Sequence, residues 1–430
     1  MGSSWSPLLD GDLAAEALAA VEAVAGALPR APIEPPAGIS PEGAIAWRSS
    51  LAAGRAGQAL FYAYLSLHRP ADGTLADLGI ELLDRATEGT AAAPMSESLL
   101  SGFPGIAWTT EHLQGRIFES DADPNLEIDE TVLTLLSRSP WPGEYDLING
   151  LVGLGIYALE RLPRPTAVQC LERIVGELDR SAEHGPEGAA WLTPPGRLAP
   201  FKRVAYPDGL YDLGASHGIA GVIALLAAAC RAGGRAGAAR RLLNEAVSWL
   251  LARELDGGRG LRFPHFFYPG IEPGPSRLAW CYGDLGVAAT LLFAARAVNE
   301  PSWERRALAV ALAAAEPGPR AATVRDAGLC HGAGGVAHLF NRMSQATGEE
   351  RLAAAARSWY AAALAFRQPG LGVGGFRSWA ADLSGAFGWR NDPGFLEGAA
   401  GVGLALLAAV SPVDPAWDRL LLAATPPGDL

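Results

Sequence analysis

Cysteine is scarce in this sequence, with four residues in 430, and no two of the four lie close together. Closely spaced cysteines are typical of secreted, disulfide-bonded proteins, so their absence favours a reducing compartment. The N-terminus also lacks the basic segment and apolar core of a signal peptide. We therefore expect a cytoplasmic protein.

Positive charge and long apolar runs are lacking as well. The formal net charge is −12 and there is no basic tract, which argues against a nucleic-acid partner. The longest apolar stretches, such as 222–230 and 287–295, are far shorter than the roughly 20 residues of a bilayer-spanning helix. We expect no transmembrane segment. Hydrophobic residues nevertheless make up 49% of the chain, enough for a large globular core.

A short glycine motif recurs along most of the chain. Seven Gly-x-x-Gly pairs, with first glycines 48 to 68 residues apart, are each followed by an apolar run. Repeats of this length are typical of architectures built from one supersecondary unit used many times. The pairs are Gly54/Gly57, Gly102/Gly105, Gly150/Gly153, Gly218/Gly221, Gly283/Gly286, Gly332/Gly335 and Gly398/Gly401.

The runs between and after these glycines predict two kinds of helix. Those after the glycines are apolar nearly all round, as in buried helices, and those between have charged outer faces. We therefore predict an all-α protein with the fold of an α/α toroid, a double ring of seven inner and seven outer helices. It would form a single domain over 1–430. An N-terminal helix and linker would occupy 1–48, the repeats 49–410, and a closing C-terminal helix 415–425.

In such a toroid the glycine motifs would gather at one rim. Glycine lets one backbone segment pass close to another without a Cβ clash. Side chains on the loops before the inner helices would then converge, although they lie far apart in sequence. Glycine-rich loops also cradle phosphates, but the strand and the lysine that accompany such loops are missing here. We expect the functional site at this rim.

Two of the four cysteines lie on these loops. Cys281 and Cys330 each stand two residues before a helix-starting glycine, and His331 follows Cys330 directly. Two thiolates and an imidazole suit tetrahedral zinc, and three protein ligands leave the open position of a catalytic site. Free cysteine is also among the most buried residue types, so two core thiols are the alternative. We predict that Cys170 and Cys230 are inert thiols within helices.

Other chemically capable side chains fall on neighbouring loops. Asp146 precedes the third glycine pair, His217 stands directly before the fourth, and Tyr282 lies beside Cys281. Polar groups that converge in a cleft are typical of an active site. This clustering on consecutive loops favours zinc over two core thiols.

Several of these loops resemble the motifs of the lanthionine synthetase C-like family, the lanthipeptide cyclases. The similar segments are Trp-Cys-Tyr-Gly at 280–283, Cys-His-Gly at 330–332 and Ser-His-Gly-x-x-Gly at 216–221. Asp-Leu-Ile-x-Gly at 146–150 and Gly-Phe-Leu-Glu-Gly-x-x-Gly at 394–401 are similar too. The resemblance covers nearly the whole chain after residue 49, and the family's fold is an α/α toroid.

The resemblance implies a zinc enzyme that acts on a peptide. Such cyclases bind one zinc ion through two cysteines and a histidine, which correspond here to Cys281, Cys330 and His331. They add a peptide cysteine thiol to dehydroalanine or dehydrobutyrine and so form the thioether ring of lanthionine or methyllanthionine. A free-standing chain of this type resembles the class that works beside a separate dehydratase on a dehydrated precursor peptide.

Roles for four further residues follow from this chemistry. Thiolate attack on the alkene leaves an enolate, which needs a proton at its α-carbon and stabilisation of its oxygen. His217 is the best general acid, because imidazole titrates near neutral pH, and Asp146 would orient it or tune its pKa. Arg277 or Tyr282 would stabilise the enolate oxygen.

Two other functions stay open from the sequence. One is a zinc thiol transferase that adds glutathione or another small thiol to an electrophile. The other is a non-catalytic peptide-binding scaffold that keeps the fold without turnover.

Overall fold

The computed structural model describes residues 5–198, 200–232, 236–256, 262–272, 274, 276–381 and 385–424. The described chain forms two compact units. One runs up to Ile128 and resumes over Val324–Asp418, and the other comprises Asp129–Thr323 and the segment from Arg419 onward.

Helices account for most of both units. They are α1 (Gly11–Ala27), α2 (Pro41–Ser49), α3 (Arg55–His68), α4 (Gly73–Ala92), α5 (Phe103–Leu113), α6 (Leu126–Leu135), α7 (Leu151–Glu160), α8 (Pro165–Ser181), α9 (Pro200–Ala205), α10 (Ile219–Ala232), α11 (Ala236–Leu251), α12 (Asp284–Ala297), α13 (Pro301–Ala315), α14 (Ala333–Thr347), α15 (Glu350–Ala365) and α16 (Ala399–Val410). No helix in these described ranges is both long and apolar enough to cross a membrane.

The seven helices that follow the glycine motifs are the buried ones, as predicted. They are α3, α5, α7, α10, α12, α14 and α16. In the first unit, α14 packs on α16, α16 on α3, and α3 on α5. In the second unit, α10 packs between α7 and α12. Because these helices have apolar residues on every side, they are stable only when other helices surround them.

The amphipathic helices cover the buried ones. Within the units, α4 packs on α3, α8 on α7, α11 on α10, α13 on α12, α15 on α14, and α1 on α16. In α8, for example, Cys170, Ile174 and Leu178 are buried at helical spacing. The prediction of an all-α fold in which amphipathic helices cover buried ones is therefore confirmed.

The glycine motifs have a steric cause. The second glycine of a pair lies against the carbonyl oxygen of the residue six positions earlier, as Gly335 does against Leu329 and Gly401 against Phe395. A Cβ atom on either glycine would overlap that oxygen. The loop before each such helix therefore folds back tightly over the helix start, which holds the loop side chains in defined positions.

The longer loops carry short strands that the sequence did not predict. They are β1 (Glu183–Gly185), β2 (Gly188–Ala190), β3 (Leu192–Thr193), β4 (Leu210–Asp212), β5 (Phe266–Phe267), β6 (Ser378–Ala381) and β7 (Phe387–Arg390). They pair antiparallel as β1–β2, β3–β4–β5 and β6–β7.

Both ends of the chain differ in detail from the prediction. The segment predicted as an N-terminal linker includes helix α2. The segment predicted as a closing helix over 415–425 contains a 3-10 helix over Ala416–Leu421, and its last residue lies outside the described ranges.

One buried ionic network lies within the first unit. Asp418, which is fully buried, accepts hydrogen bonds from Arg342 Nε at 2.5 Å and Nη2 at 3.0 Å. His338 Nε2 lies 2.7 Å from the same carboxylate. Burial raises the pKa of Asp418, but the charge of Arg342 and the hydrogen bond from His338 outweigh it and hold the pKa below its usual value.

We expect Asp418→Asn to destabilise this unit strongly. Removing the charge leaves the Arg342 guanidinium buried and poorly compensated, and breaking a buried pair in this way costs about 3 kcal/mol or more. Urea unfolding followed by tryptophan fluorescence measures the loss. The control is Asp414→Asn, which removes a second Arg342 contact of 3.0 Å at a side chain 44% exposed and should cost less than about 1 kcal/mol. Equal effects of the two changes would contradict the account.

Candidate metal centre and acid–base pocket

Two helix starts carry the predicted metal ligands. Cys281 lies in the loop before α12, and Cys330 and His331 lie in the loop before α14. The amides of Leu329 and Cys330 both donate to the carbonyl oxygen of Leu396, at 3.1 and 2.9 Å, which fixes the second loop. The ligand atoms of Cys281, Cys330 and His331 all lie within 4.8 Å of one another.

This donor set fits zinc. Two sulfurs bonded to one tetrahedral zinc ion at about 2.3 Å lie about 3.8 Å apart, which agrees with the observed grouping. Cys281 and Cys330 are buried, at 4% and 9% exposure, and the His331 side chain is 17% exposed. The protein shields these three ligands from water. A tetrahedral ion that they held would keep one coordination position for an incoming group. An open fourth position is the pattern of catalytic zinc sites rather than of closed structural ones.

The other two cysteines have no comparable surroundings. Burial, followed by the nearby charge of Asp129, raises the pKa of the Cys170 thiol to about 12. Burial also raises the pKa of Cys230. Neither thiol would ionise near neutral pH, so the interpretation of both as inert packing residues is consistent with the structure.

The second unit contains a histidine–carboxylate pair. His217 Nδ1 lies 2.5 Å from Asp146 Oδ2, and the other oxygen of Asp146 accepts the Asn149 amide at 2.7 Å. Asp146 is buried, whereas the His217 side chain is 40% exposed. Because Nδ1 is engaged by the carboxylate, Nε2 is the nitrogen left for a substrate.

This pair lies in a polar cavity of about 260 Å³. The cavity collects residues from the loops before α7, α10 and α12 and from helix α9. Its lining residues are Glu144, Tyr145, Asp146, Asn149, Thr193, Arg197, Leu198, Lys202, Leu210, Asp212, His217 and Tyr282. The cavity therefore brings together three predicted residues, Asp146, His217 and Tyr282, with charged residues that the sequence did not single out.

The surroundings of His217 favour its charged form. Burial alone would lower the pKa of His217. The hydrogen bond and charge of Asp146, with the charges of Asp212 and Cys281, outweigh burial and raise the pKa above its usual value. The imidazole therefore keeps its proton to a higher pH than a free histidine does, which suits a general acid near neutral pH.

Tyr282 faces a second carboxylate that sequence reasoning missed. Its hydroxyl donates to Asp212 Oδ2 at 3.1 Å, and Asp212 Oδ1 accepts the Gly214 amide at 2.9 Å. Burial and the charge of Asp212 raise the pKa of Tyr282 well above its usual value, so this hydroxyl is protonated. Its single O–H is given to Asp212 in this arrangement.

A sequence signal for Asp212 did exist. Asp-x-Gly occurs in the loops before α10, α14 and α16, with Asp212, Asp326 and Asp392 as its acidic residues. In each loop the carboxylate accepts the amide of the glycine two residues later, at 2.7 to 3.0 Å. The second carboxylate oxygen of Asp212 accepts a hydrogen bond from the Tyr282 hydroxyl, and that of Asp326 accepts one from the Trp379 amide.

Arg277 is fixed through its backbone. Its N–H donates to His265 Nε2 at 3.1 Å, and the His265 ring lies 4.9 Å from that of Tyr282. Burial, then the charges of Arg277 and Lys202, lower the pKa of His265 to about 4, so His265 is a neutral acceptor. Within the described ranges the Arg277 guanidinium makes no hydrogen bond or ion pair. Arg277 is not among the residues that line the cavity of His217, whereas Lys202 is, and no sequence pattern had selected Lys202.

Comparisons with known proteins agree with this fold. Nisin cyclase is among the similar solved structures, with a TM-score of 0.69 and 19% sequence identity over 87% of this chain and 92% of that chain. That similarity gives the fold as an α/α toroid. No curated protein matches the sequence. A family profile described as lanthionine synthetase C-like protein matches residues 46–422. The chain therefore belongs to the lanthionine synthetase C-like family.

Proposed function

We propose that this protein is a zinc-dependent lanthipeptide cyclase that forms lanthionine or methyllanthionine rings in a dehydrated precursor peptide. Family membership supports the reaction class. The observation that carries the proposal is the grouping of Cys281, Cys330 and His331, with ligand atoms within 4.8 Å of one another. These three residues would hold one zinc ion per chain.

The reaction is an intramolecular addition. The sulfur of a peptide cysteine forms a bond to the β-carbon of a dehydroamino acid, the alkene π electrons move to the carbonyl oxygen as an enolate, and the α-carbon then takes a proton. No atom is gained or lost, so the product has the mass of the substrate. A zinc ion bound at the open site supplies one element of this chemistry, the deprotonation of a coordinated thiol.

His217 would deliver the proton to the α-carbon. Asp146 engages Nδ1 at 2.5 Å and leaves Nε2–H of the imidazolium as the acid. Asp146 is itself held by the Asn149 amide at 2.7 Å, so the ring cannot turn freely. Together the two residues would present an oriented acid whose pKa is raised.

The enolate oxygen needs a positive or hydrogen-bonding partner. Arg277 and Tyr282 remain our proposed partners. Lys202, which lines the same cavity as His217, joins them as a further candidate. Because Tyr282 gives its only O–H to Asp212, a cation could serve this role without a rearrangement of hydrogen bonds.

The pH dependence of turnover tests the role of Asp146. A raised pKa keeps His217 protonated at higher pH, and this acid form is lost as the pH rises through that pKa. Asp146→Asn removes the hydrogen-bonding charge, so we expect the alkaline limb of kcat to move to lower pH while bound zinc is unchanged. Asp208→Asn, at an exposed carboxylate that accepts a hydrogen bond from the Tyr268 hydroxyl, is the control. An unmoved alkaline limb would contradict this role.

Mass spectrometry separates the proposed activity from its alternatives. A dehydrated peptide with one free cysteine is incubated with zinc-loaded protein and glutathione. A cyclase removes the alkylatable thiol without a change in mass, whereas a small-thiol transferase adds the mass of glutathione. A peptide-binding scaffold does neither.

We make three further proposals, on the source of the substrate, the cellular compartment and the domain organisation. We propose a separate dehydratase as the source of the substrate, and the cytoplasm as the compartment, because thiolate ligands and a thiol substrate need reducing conditions. None of the four cysteines forms a disulfide. We also propose that the seven repeats form one catalytic domain.

A further inference from the structure

The hairpin formed by β6 and β7 carries an exposed aromatic surface. Trp379 and Trp389 lie directly opposite each other across the two strands, with ring centres 5.3 Å apart, and Phe387 stacks on Trp379 at 6.3 Å. Phe387 is 54% exposed and Trp389 is 46% exposed. In the part of the chain that the structure describes, these are the only aromatic residues among the large exposed hydrophobic side chains. We call Trp379, Phe387 and Trp389 the aromatic hairpin.

The aromatic hairpin is attached to the loop of the metal ligands. The Trp379 amide donates to the buried carboxylate of Asp326 at 2.7 Å, and the Trp379 carbonyl oxygen lies 3.5 Å from His331 Nε2. Both backbone groups of Trp379 therefore point toward the ligand loop and away from β7. A segment bound on the hairpin would lie beside a proposed zinc ligand.

The pairing geometry leaves the outer edge of β7 open. Because the Trp379 amide bonds Asp326 instead of β7, Trp379 and Trp389 form a non-hydrogen-bonded pair of the antiparallel ladder. The N–H and C=O of Trp389 then point outward from the hairpin. Within the described residues no other segment pairs with this edge. Such an edge can bind an extended peptide as an added strand.

The open edge borders a groove of about 680 Å³ within the first unit. On one side lie Trp389 and Arg390, and on the other lie Trp47 and the proline-containing segment 33–37. Grooves of this size, with aromatic walls and a few polar groups, are typical of ligand sites. The groove has room for several residues of an extended chain.

Two guanidinium groups lie against the aromatic hairpin, although the whole protein has a net charge of −12. The Arg325 guanidinium lies 5.6 Å from the Trp379 ring centre, and that of Arg377 lies 5.0 Å from the Trp389 ring centre. Within the described ranges neither forms an ion pair, and Arg325 is exposed. Cations held over aromatic rings keep their charge available to a carboxylate in front of them.

We propose that the aromatic hairpin and the outer edge of β7 bind an extended segment of the peptide substrate that bears apolar and acidic side chains. This inference rests on the proposed cyclase function. The backbone of the segment pairs with β7, its apolar side chains cover Phe387 and Trp389, and its carboxylates face Arg325 and Arg377. Binding there would hold the peptide next to the metal loop while different thiols react.

The test is peptide binding by fluorescence anisotropy. The probe is a short fluorescein-labelled peptide with one cysteine, two leucines and two glutamates, and with serine in place of dehydroalanine so that no ring can form. Each lost aromatic contact should weaken binding about fivefold, so the Phe387→Ala, Trp389→Ala double variant should bind about 25-fold more weakly. Leu126→Ala, at a side chain 56% exposed elsewhere on the surface, should bind like the wild type.

Two further measurements test the charge and the edge. Arg325→Glu combined with Arg377→Glu should bind the glutamate peptide more weakly and a lysine-for-glutamate peptide more tightly, a reversal that a merely misfolded protein would not show. Backbone N-methylation at alternate residues of the probe should weaken binding to the wild type. Unchanged affinity of the double aromatic variant would overturn the proposal. A change in oligomeric mass without a change in peptide affinity would also overturn it and assign the hairpin to contacts between copies.

Turnover of the wild type distinguishes a failure of the cyclase proposal from a failure of the hairpin proposal. If the wild type closes rings but the hairpin variants bind the probe normally, only the hairpin inference fails. If the wild type closes no ring yet its affinity depends on Trp389, the cyclase function fails and the hairpin stands as a peptide-binding surface.

Discussion

Cys330→Ala is expected to lose both the zinc ion and ring formation. The change removes one of only three proposed protein ligands, and Cys281 and His331 alone would hold the metal poorly. Even residues that merely orient a ligand change metal affinity by about 10- to 100-fold, so the loss of a ligand should exceed that. Without the site, turnover should fall by about a thousandfold or more. Elemental analysis and loss of alkylatable thiol measure the two effects.

Cys230→Ala is the matched control for this change. Its thiol lies in α10, and burial raises its pKa, so its removal should change neither zinc content nor turnover. If Cys330→Ala keeps one zinc ion per chain, the ligand set is wrong. If it loses zinc but still closes rings at the wild-type rate, the metal is structural and the catalytic part of the proposal fails.

His217→Asn should keep the zinc ion and lose most of the turnover. An oriented general acid contributes about 10²- to 10⁴-fold, and we expect a decrease in kcat within that range. Asparagine preserves much of the shape and a hydrogen bond to Asp146 but cannot donate a proton near neutral pH. Elemental analysis of the same preparation shows whether the effect is separate from the metal.

The control for this second prediction is another histidine that also contacts carboxylates. His184 Nδ1 lies 2.8 Å from Glu245 on the protein surface, and His184→Asn should leave kcat unchanged. A normal kcat in His217→Asn would show that the α-carbon takes its proton from another group or from water.

Helix order and burial could be predicted because they depend on local composition. The apolar run that follows Gly401 has no polar face, so only a buried helix suits it, and α16 is buried along almost its whole length. The charged face of α8 predicted an amphipathic helix with one side exposed, and the buried residues of α8 do recur at helical spacing. The glycine pairs were visible as a repeat, although the carbonyl oxygen that each one accommodates was not.

The β6–β7 hairpin could not be predicted, because tertiary contacts specify it. Its strands have four residues each, too few for an alternating pattern to stand out. Its attachment depends on Asp326, which lies 53 residues before the Trp379 amide that it binds. A pattern read along the chain contains no trace of such a pairing.

The candidate site was predictable only in part, for the same reason. Cys281 and Cys330 lie too far apart in sequence for spacing to indicate a shared metal, and their equivalent positions in two repeats supplied the signal. Asp212 belongs to a recurring Asp-x-Gly motif, but its hydrogen bond to Tyr282, 70 residues further along the chain, is visible only in the structure. Lys202 comes from a short helix outside the repeats, so the repeat pattern did not select it.

We propose above all that Cys281, Cys330 and His331 hold a zinc ion with one position open to a substrate thiol. X-ray absorption at the zinc edge tests it directly, with and without a peptide that carries a free cysteine and no dehydroamino acid. We expect two sulfur ligands at about 2.3 Å with one histidine nitrogen and one lighter ligand, and three sulfur ligands once the peptide is added. A spectrum without sulfur ligands, or one that the peptide leaves unchanged, would contradict the account.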